Sequence, residues 1–328
     1  MNFTVKNKVL ADKIQRRRGV QRSTARVWAS TLRRIHRDYG KGPWSSDLKW
    51  LGDASILDRL KKVSGINIKR NLGNAAAVGL DILEKKTLKS KYDAWLRMLR
   101  GQADEASKKQ EMSTRQKNNM LQWSDIIKLK KQLARNVRLK RLYEKPKLSG
   151  KEFTELQRNL VLHLYVDMNP IRLDFANVQL MPEEQFSKMS KKNQSKNYLV
   201  MARGKWKFFF YQFKSSRYHD LPVVLPVPRS VVLLMKKHLR VLKRRYKDPL
   251  WLLWNSKGAR MTRNSLSKFL TKTFVDTYNK KVSASMLRTI FLSHKYKHVD
   301  ILEQESTADS MMHKRATQQR HYVKKSDQ

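Results

Sequence analysis

A fixed positive charge on more than one residue in five constrains this chain before any motif is read. Its 328 residues hold 72 Lys and Arg against 27 Asp and Glu, a formal charge of +45. A fold must spread such charge over its outer faces, where it repels itself unless a polyanion neutralises it. Nucleic acid is the expected counter-charge, because its phosphates form a dense line of negative charge. An anionic membrane surface is the other candidate. A small-molecule enzyme has no use for the field. Disorder does not follow, since 40% of residues are hydrophobic, 9% are aromatic and eight are Trp. That is enough to bury a core. The chain has no cysteine, which excludes a disulfide framework, a thiolate metal site and a cysteine nucleophile. No window of 18 apolar residues predicts a membrane span. The opening MNFTVKNKVLADKIQRRRG lacks the apolar core of a signal peptide. A soluble, intracellular protein is expected.

The length fits two domains, drawn here as a helical unit over 1–117 and a second unit over 118–328. In the first, Ser23 and Thr24 stand as an N-cap before Ala25, Trp28, Leu32, Ile35 and Tyr39, one helical face. Further helices are expected over 46–63, over 67–83 with its small residues, and around Tyr92, Trp95, Leu96 and Leu99. Residues 101–120 hold almost nothing large and apolar and read as a solvated helix or linker. In the second unit, residues 128–147 carry nine Lys/Arg and one Glu, either a solvated helix face or a surface that tracks phosphates. Ser149 and Glu152 form the S-x-x-E capping signature of a helix ending at Asn169-Pro170. Tyr198–Ala202, the turn Arg203-Gly204-Lys205 and Trp206–Phe213 read as a β-hairpin, with Val223–Val227 as a proline-limited edge. Helices follow over about 229–246, 262–276, 283–297 and 306–323. The expected class is mainly α with a small antiparallel sheet (α+β).

Most catalytic signatures are missing: no P-loop, no G-x-G-x-x-G and no H-E-x-x-H. Asp167, Asp174 and Asp220 are the best available acidic set for a metal, and nothing in their spacing favours it. One constellation does stand out. Arg172 follows Asn169-Pro170-Ile171 at a helix end. Lys214 follows the strand ending at Phe213. Arg288 lies early in an amphipathic helix, His313 follows 25 residues later, and Tyr322 nine residues after that. These segments resemble the tyrosine recombinase (phage integrase) family, whose order is arginine, lysine, a His-or-Lys-x-x-Arg box, His or Trp, and a late tyrosine. The detail N-P-I-R-L-D and the Gln122-Trp123-Ser124-Asp125 opening are most similar to recombinases of large DNA viruses, virophages and Crypton-type elements.

The resemblance implies a helical core-binding domain followed by a catalytic domain, clamped on double-stranded DNA. It implies Arg172, Lys214, Arg288, His313 and Tyr322 as catalytic residues, with no cofactor, metal or ATP, and a homotetramer on synapsed sites. It also implies a place wherever the DNA is, the nucleus or a viral factory for a eukaryotic host. The residue types suit metal-free phosphodiester chemistry independently. A phenol can attack phosphorus, and two guanidiniums can each bridge phosphate oxygens. A lysine beside other cations can protonate the leaving 5′ oxygen, and a histidine can donate to phosphate or assist the tyrosine proton. Lys205, in the hairpin turn, is the weaker candidate for the lysine. The chain departs from the family pattern in two places. Ser285 stands where the box has His or Lys. Phe175 replaces the usual acid three residues after Arg172, leaving Asp174 to orient that arginine. Two other readings remain open: a type IB topoisomerase using the same chemistry, and a DNA-binding protein that has lost catalysis.

Overall fold

A computed structural model describes residues 3–108, 112–190, 194–296 and 307–312. The chain divides into two compact units, Met1–Lys109 and Gln110–Gln328. Each has its own apolar core. No helix among the described residues is long and apolar enough to cross a membrane.

The first unit is helical: α1 (Phe3–Arg18), α2 (Arg22–Tyr39), α3 (Ser55–Lys61), α4 (Ile66–Ile82) and α5 (Lys86–Lys108). Helix α2 buries Ala25, Ala29, Leu32 and Ile35, with Trp28 and Tyr39 half-buried beside them. It starts one residue before the expected cap, and Gln21 holds the N-cap without a side-chain hydrogen bond. The helix expected over 46–63 is broken. Leu48 takes a left-handed conformation (φ 65°), a 3-10 turn spans Lys49–Gly52, and the Asp53 carboxylate accepts from the Ser55 amide at 2.9 Å. An aspartate that satisfies a backbone amide two residues on makes a turn of a stretch the apolar spacing reads as helix. The small residues of α4 let neighbours approach closely. A Cβ at Gly79 would lie 2.7 Å from Leu51 Cδ2 and 3.0 Å from Leu32 Cδ2.

The second unit is α+β. It opens with the short α6 (Thr114–Asn119), then α7 (Trp123–Leu139) and α8 (Gly150–Val166). The capping box at α8 forms as its signature requires: Ser149 Oγ accepts from the Glu152 amide at 3.2 Å, and Glu152 Oε2 accepts from the Ser149 amide at 2.9 Å. A four-stranded sheet follows in the order β1 (Val178–Pro182), β2 (Asn197–Met201), β3 (Trp206–Phe210) and β4 (Val223–Pro226). The hairpin of β2 and β3 turns through Gly204 at φ 84°. The sheet is mixed, which corrects the antiparallel expectation, because β1 pairs parallel with β2. The connection from β1 to β2, which includes the short α9 (Glu183–Ser187), is long enough for the crossover that a parallel pair needs. On the outer side of β1, the Leu180 amide donates to Leu250 O and the Leu252 amide to Val178 O. The apolar piece Trp251–Trp254 thereby covers an otherwise open edge. Helices α10 (Arg229–Arg245), α11 (Arg263–Tyr278) and α12 (Ala284–Lys295) complete the unit, with one further helical turn at 307–310.

The core of this unit holds one ionisable ring whose charge state bears on stability. His238 on α10 is fully buried and stacks on Phe153, ring centroids 6.3 Å apart. Burial pushes its pKa down from 6.5 to about 3. The native state therefore binds fewer protons than the unfolded chain between these values, so stability is full above pH 6.5 and falls as pH drops below it. The slope reaches at most about 1.4 kcal/mol per pH unit. Urea unfolding at pH 7 and pH 5 is expected to show this loss in the wild type, and His238→Leu should reduce it. Equal losses in the two proteins would show that His238 is not its source.

Candidate active site

The end of α8 places the first candidate arginine. Asp167, the C-cap, is bound by Lys130 and by His163 Nδ1, the latter at 2.6 Å. Ile171 is buried, and the buried Tyr165 donates its hydroxyl to the Arg172 carbonyl at 2.6 Å. A buried phenol loses more by ionising than it gains. Burial lifts the Tyr165 pKa far above its usual value, Asp174 adds to this, and Arg288 opposes it. The hydroxyl stays a donor and pins the loop, leaving Arg172 half-buried with Nη1 3.4 Å from Ser215 Oγ.

Asp174 follows at the start of a 3-10 turn and is only 3% exposed. Arg263, the first residue of α11, donates to its Oδ1 through Nη2. Burial raises the Asp174 pKa above the usual carboxylate range, and Arg263, Arg172 and Arg288 pull it back, in that order. Three guanidiniums, one from the loop before Asp174 and two from α11 and α12, thus act on one carboxylate. Arg172 and Arg288, 116 positions apart in the chain, share this centre. Arg288 itself has no solvent exposure and is the largest fully buried side chain described. It is as deeply buried as its apolar neighbours Leu287 and Ile290.

The segment bearing Lys214 is held from three sides. Asn197 Oδ1 accepts from the amides of Tyr211 (3.0 Å) and Gln212 (2.8 Å), and its Nδ2 donates to Gln212 O at 3.0 Å. Arg263 Nη2 also donates to Gln212 O, at 3.1 Å. Phe213 is buried. Lys214 is exposed, and its neighbour Ser215 links Arg172 to the carbonyl of Met312, donating to the latter at 2.8 Å. A second tie runs from Asn169 Nδ2 to Ser310 Oγ at 2.6 Å. The chain just before His313 is therefore fastened to the loop that carries Arg172. His313 and Tyr322 lie outside the described residues. Lys205 is exposed in the hairpin turn, and Ser285 is exposed in the first turn of α12. His294 stacks on Trp123 with centroids 6.4 Å apart.

Two acids of the alternative metal set are already bound by other side chains: Asp167 by Lys130 and His163, and Asp174 by Arg263. Among the described residues, no three His, Asp or Glu side chains form a group suited to a metal ion. Arg263 is the part that sequence reasoning missed. It bridges the carboxylate beside Arg172 to the strap before Lys214, yet in the sequence it is one cation among 72. The arrangement concentrates fixed positive charge at one end of α8, where an anion's oxygens would meet rigid guanidinium donors. Comparisons with family models, with curated proteins and with solved structures found no match.

Proposed function

We propose that the chain is a site-specific DNA recombinase of the tyrosine recombinase type. The observation that carries this reading is the shared centre at Asp174. Arg172 and Arg288 both act on that carboxylate. Ser215, next to Lys214, links Arg172 to Met312, next to His313. Two hydrogen bonds thus tie the Arg172 loop, the Lys214 segment and Met312 together, and Arg288 acts through space on the same carboxylate as Arg172. The overall charge of +45 supports a DNA partner.

In this reading Tyr322 attacks a backbone phosphorus, so the phenolic O–P bond forms and the P–O5′ bond breaks. The phenol proton passes to His313 or solvent, and Lys214 supplies a proton to the departing 5′ oxygen. Arg172 and Arg288 neutralise the charge that gathers on the phosphoryl oxygens. The 3′-phosphotyrosine conserves the energy of the broken bond, so a 5′-hydroxyl of a partner duplex can attack it without ATP. Strand exchange between two duplexes calls for paired protomers on each, a homotetramer. Such a protein works where its DNA is, inside a cell or a viral factory.

The test is a covalent adduct on a denaturing gel. Duplexes nicked beside randomised sites are incubated with the wild type and with Tyr322→Phe. The wild type is expected to retain labelled DNA through denaturation, and the variant to retain none. No adduct from the wild type overturns the catalytic reading. An adduct that relaxes supercoils yet never joins two duplexes replaces the recombinase by a type IB topoisomerase.

A further inference from the structure

The arginine centre occupies one side of α8, and a second concentration of cations occupies another. Helices α7 and α10 flank α8 and enclose a groove of about 600 Å³. Lys131, Arg135 and Arg138 line one wall from α7, and Lys237 and Arg240 line the other from α10. The spacings i, i+4, i+7 and i, i+3 put each set on one helical face. Asn159 and His163 from α8 contribute to the lining. His163 stands two residues before Tyr165, the side chain that touches the Arg172 loop. Two residues turn a helix by about 200°. The groove and the arginine centre therefore lie on nearly opposite faces of α8.

Among the described residues, five of the groove's cations have no acid partner. Many cations of this unit are paired with acids: Lys130 with Asp167, Lys140 with Glu155, Lys145 with Glu152, Arg158 with Asp276. No described carboxylate lies within 4.0 Å of a charged nitrogen of Lys131, Arg135, Arg138, Lys237 or Arg240. The one acid lining the groove, Glu144, is taken by Arg141 at 2.7 Å. Five cations on two facing walls repel one another, and the wall-to-wall arrangement suits a ligand with a row of negative charges. Tyr143 and His163 are the only aromatic rings among the described lining residues, and His163 is already bonded to Asp167, so bases would find little to stack on. The chemistry fits a phosphodiester backbone read without regard to sequence.

We propose that this groove binds the backbone of a second DNA duplex, distinct from the one at the arginine centre. The protein then carries DNA on two faces of its second unit and can bridge two segments. The proposal goes beyond the recombinase reading and does not depend on cleavage, so a failed adduct assay leaves it intact.

The experiment immobilises the full-length protein on a biotinylated duplex and measures capture of a second, fluorescent duplex against salt. The groove variant carries Arg135→Ala, Arg138→Ala, Lys237→Ala and Arg240→Ala. A control variant loses four exposed lysines elsewhere on the unit: Lys188→Ala, Lys196→Ala, Lys257→Ala and Lys268→Ala. The groove variant is expected to hold the first duplex as the control does and to capture the second at least about tenfold less well. Its salt slope for capture should fall by up to about 3.6, about 0.9 for each phosphate contact removed. Equal capture by the two variants would mean a merely solvated basic face and overturn the proposal. Equal weakening of both duplexes by the groove variant would merge the groove with the first DNA surface and overturn it too. Retained duplex capture with selective loss of poly-glutamate binding would assign the groove to an acidic protein instead.

Discussion

Arg288→Lys is expected to lower DNA cleavage by about a thousandfold or more, the range seen when a guanidinium is withdrawn from phosphoryl transfer. Lysine keeps the charge and loses the planar fork that grips two oxygens at once. The side chain starts fully buried beside Asp174, so its replacement changes the reacting centre and not the outer surface. Affinity for duplex should stay within a few fold of wild type, because grip is spread over many exposed cations. Single-turnover adduct formation measures the first quantity and salt-dependent binding the second. Cleavage within tenfold of wild type would remove Arg288 from the chemistry. A parallel Arg288→Met, matched in length but uncharged, separates charge from packing: a merely structural arginine tolerates Met as well as Lys.

Asp174→Ala should cost about 3–5 kcal/mol of stability, the usual consequence of leaving buried charge without its partner. The negative charge that Arg172 and Arg288 feel through space would be gone, and Arg263 would lose its carboxylate while keeping only the Gln212 carbonyl. Asp174→Asn, which preserves shape and an acceptor, should lose less. Urea denaturation gives the difference. The sharper measurement adds inorganic phosphate or duplex DNA. An anion that binds the native state stabilises it by mass action, and it should raise the midpoint of Asp174→Ala more than that of the wild type, because it supplies the missing negative charge. A stability loss under about 1 kcal/mol, or equal anion effects on both proteins, would show that the arginines are not gathered on this carboxylate.

How far the sequence carried the fold depends on where the governing contacts lie. Local ones were legible. The Ser149–Glu152 box starts α8 where its pattern says, Gly204 turns the hairpin between Met201 and Trp206, and the prolines around β4 mark it as an edge strand. Non-local contacts were not. Val178–Pro182 is too short to show alternation, and its strand character comes from Asn197–Met201 on one side and the Trp251 segment on the other. The helix expected over 46–63 failed because backbone conformation at Leu48 and the Asp53 turn override apolar spacing.

The site divides along the same line. Arg172 and Arg288 are singled out by their order in the chain, and both pull down on the Asp174 pKa through space. Asp174 was expected to orient Arg172. Its hydrogen bond goes instead to Arg263, and Arg172 feels it through space while bonding Ser215. A residue such as Arg263 has no spacing signature, because its role is set by two segments that only the fold makes neighbours.

The hydrogen bond from Ser215 to the Met312 carbonyl anchors the described chain at a known distance in sequence before Tyr322. Tyr322 lies ten Cα-to-Cα steps beyond Met312. Fully extended they reach about 33–36 Å, and wound as helix about 15 Å. If Tyr322 is the nucleophile, every phosphate it can attack lies within that backbone reach of the anchor plus the length of the tyrosine side chain. Donation of the tyrosine to a neighbouring protomer is then limited to assemblies whose reacting phosphate comes inside it, which sets a measurable upper bound on the spacing of paired centres in a synapse.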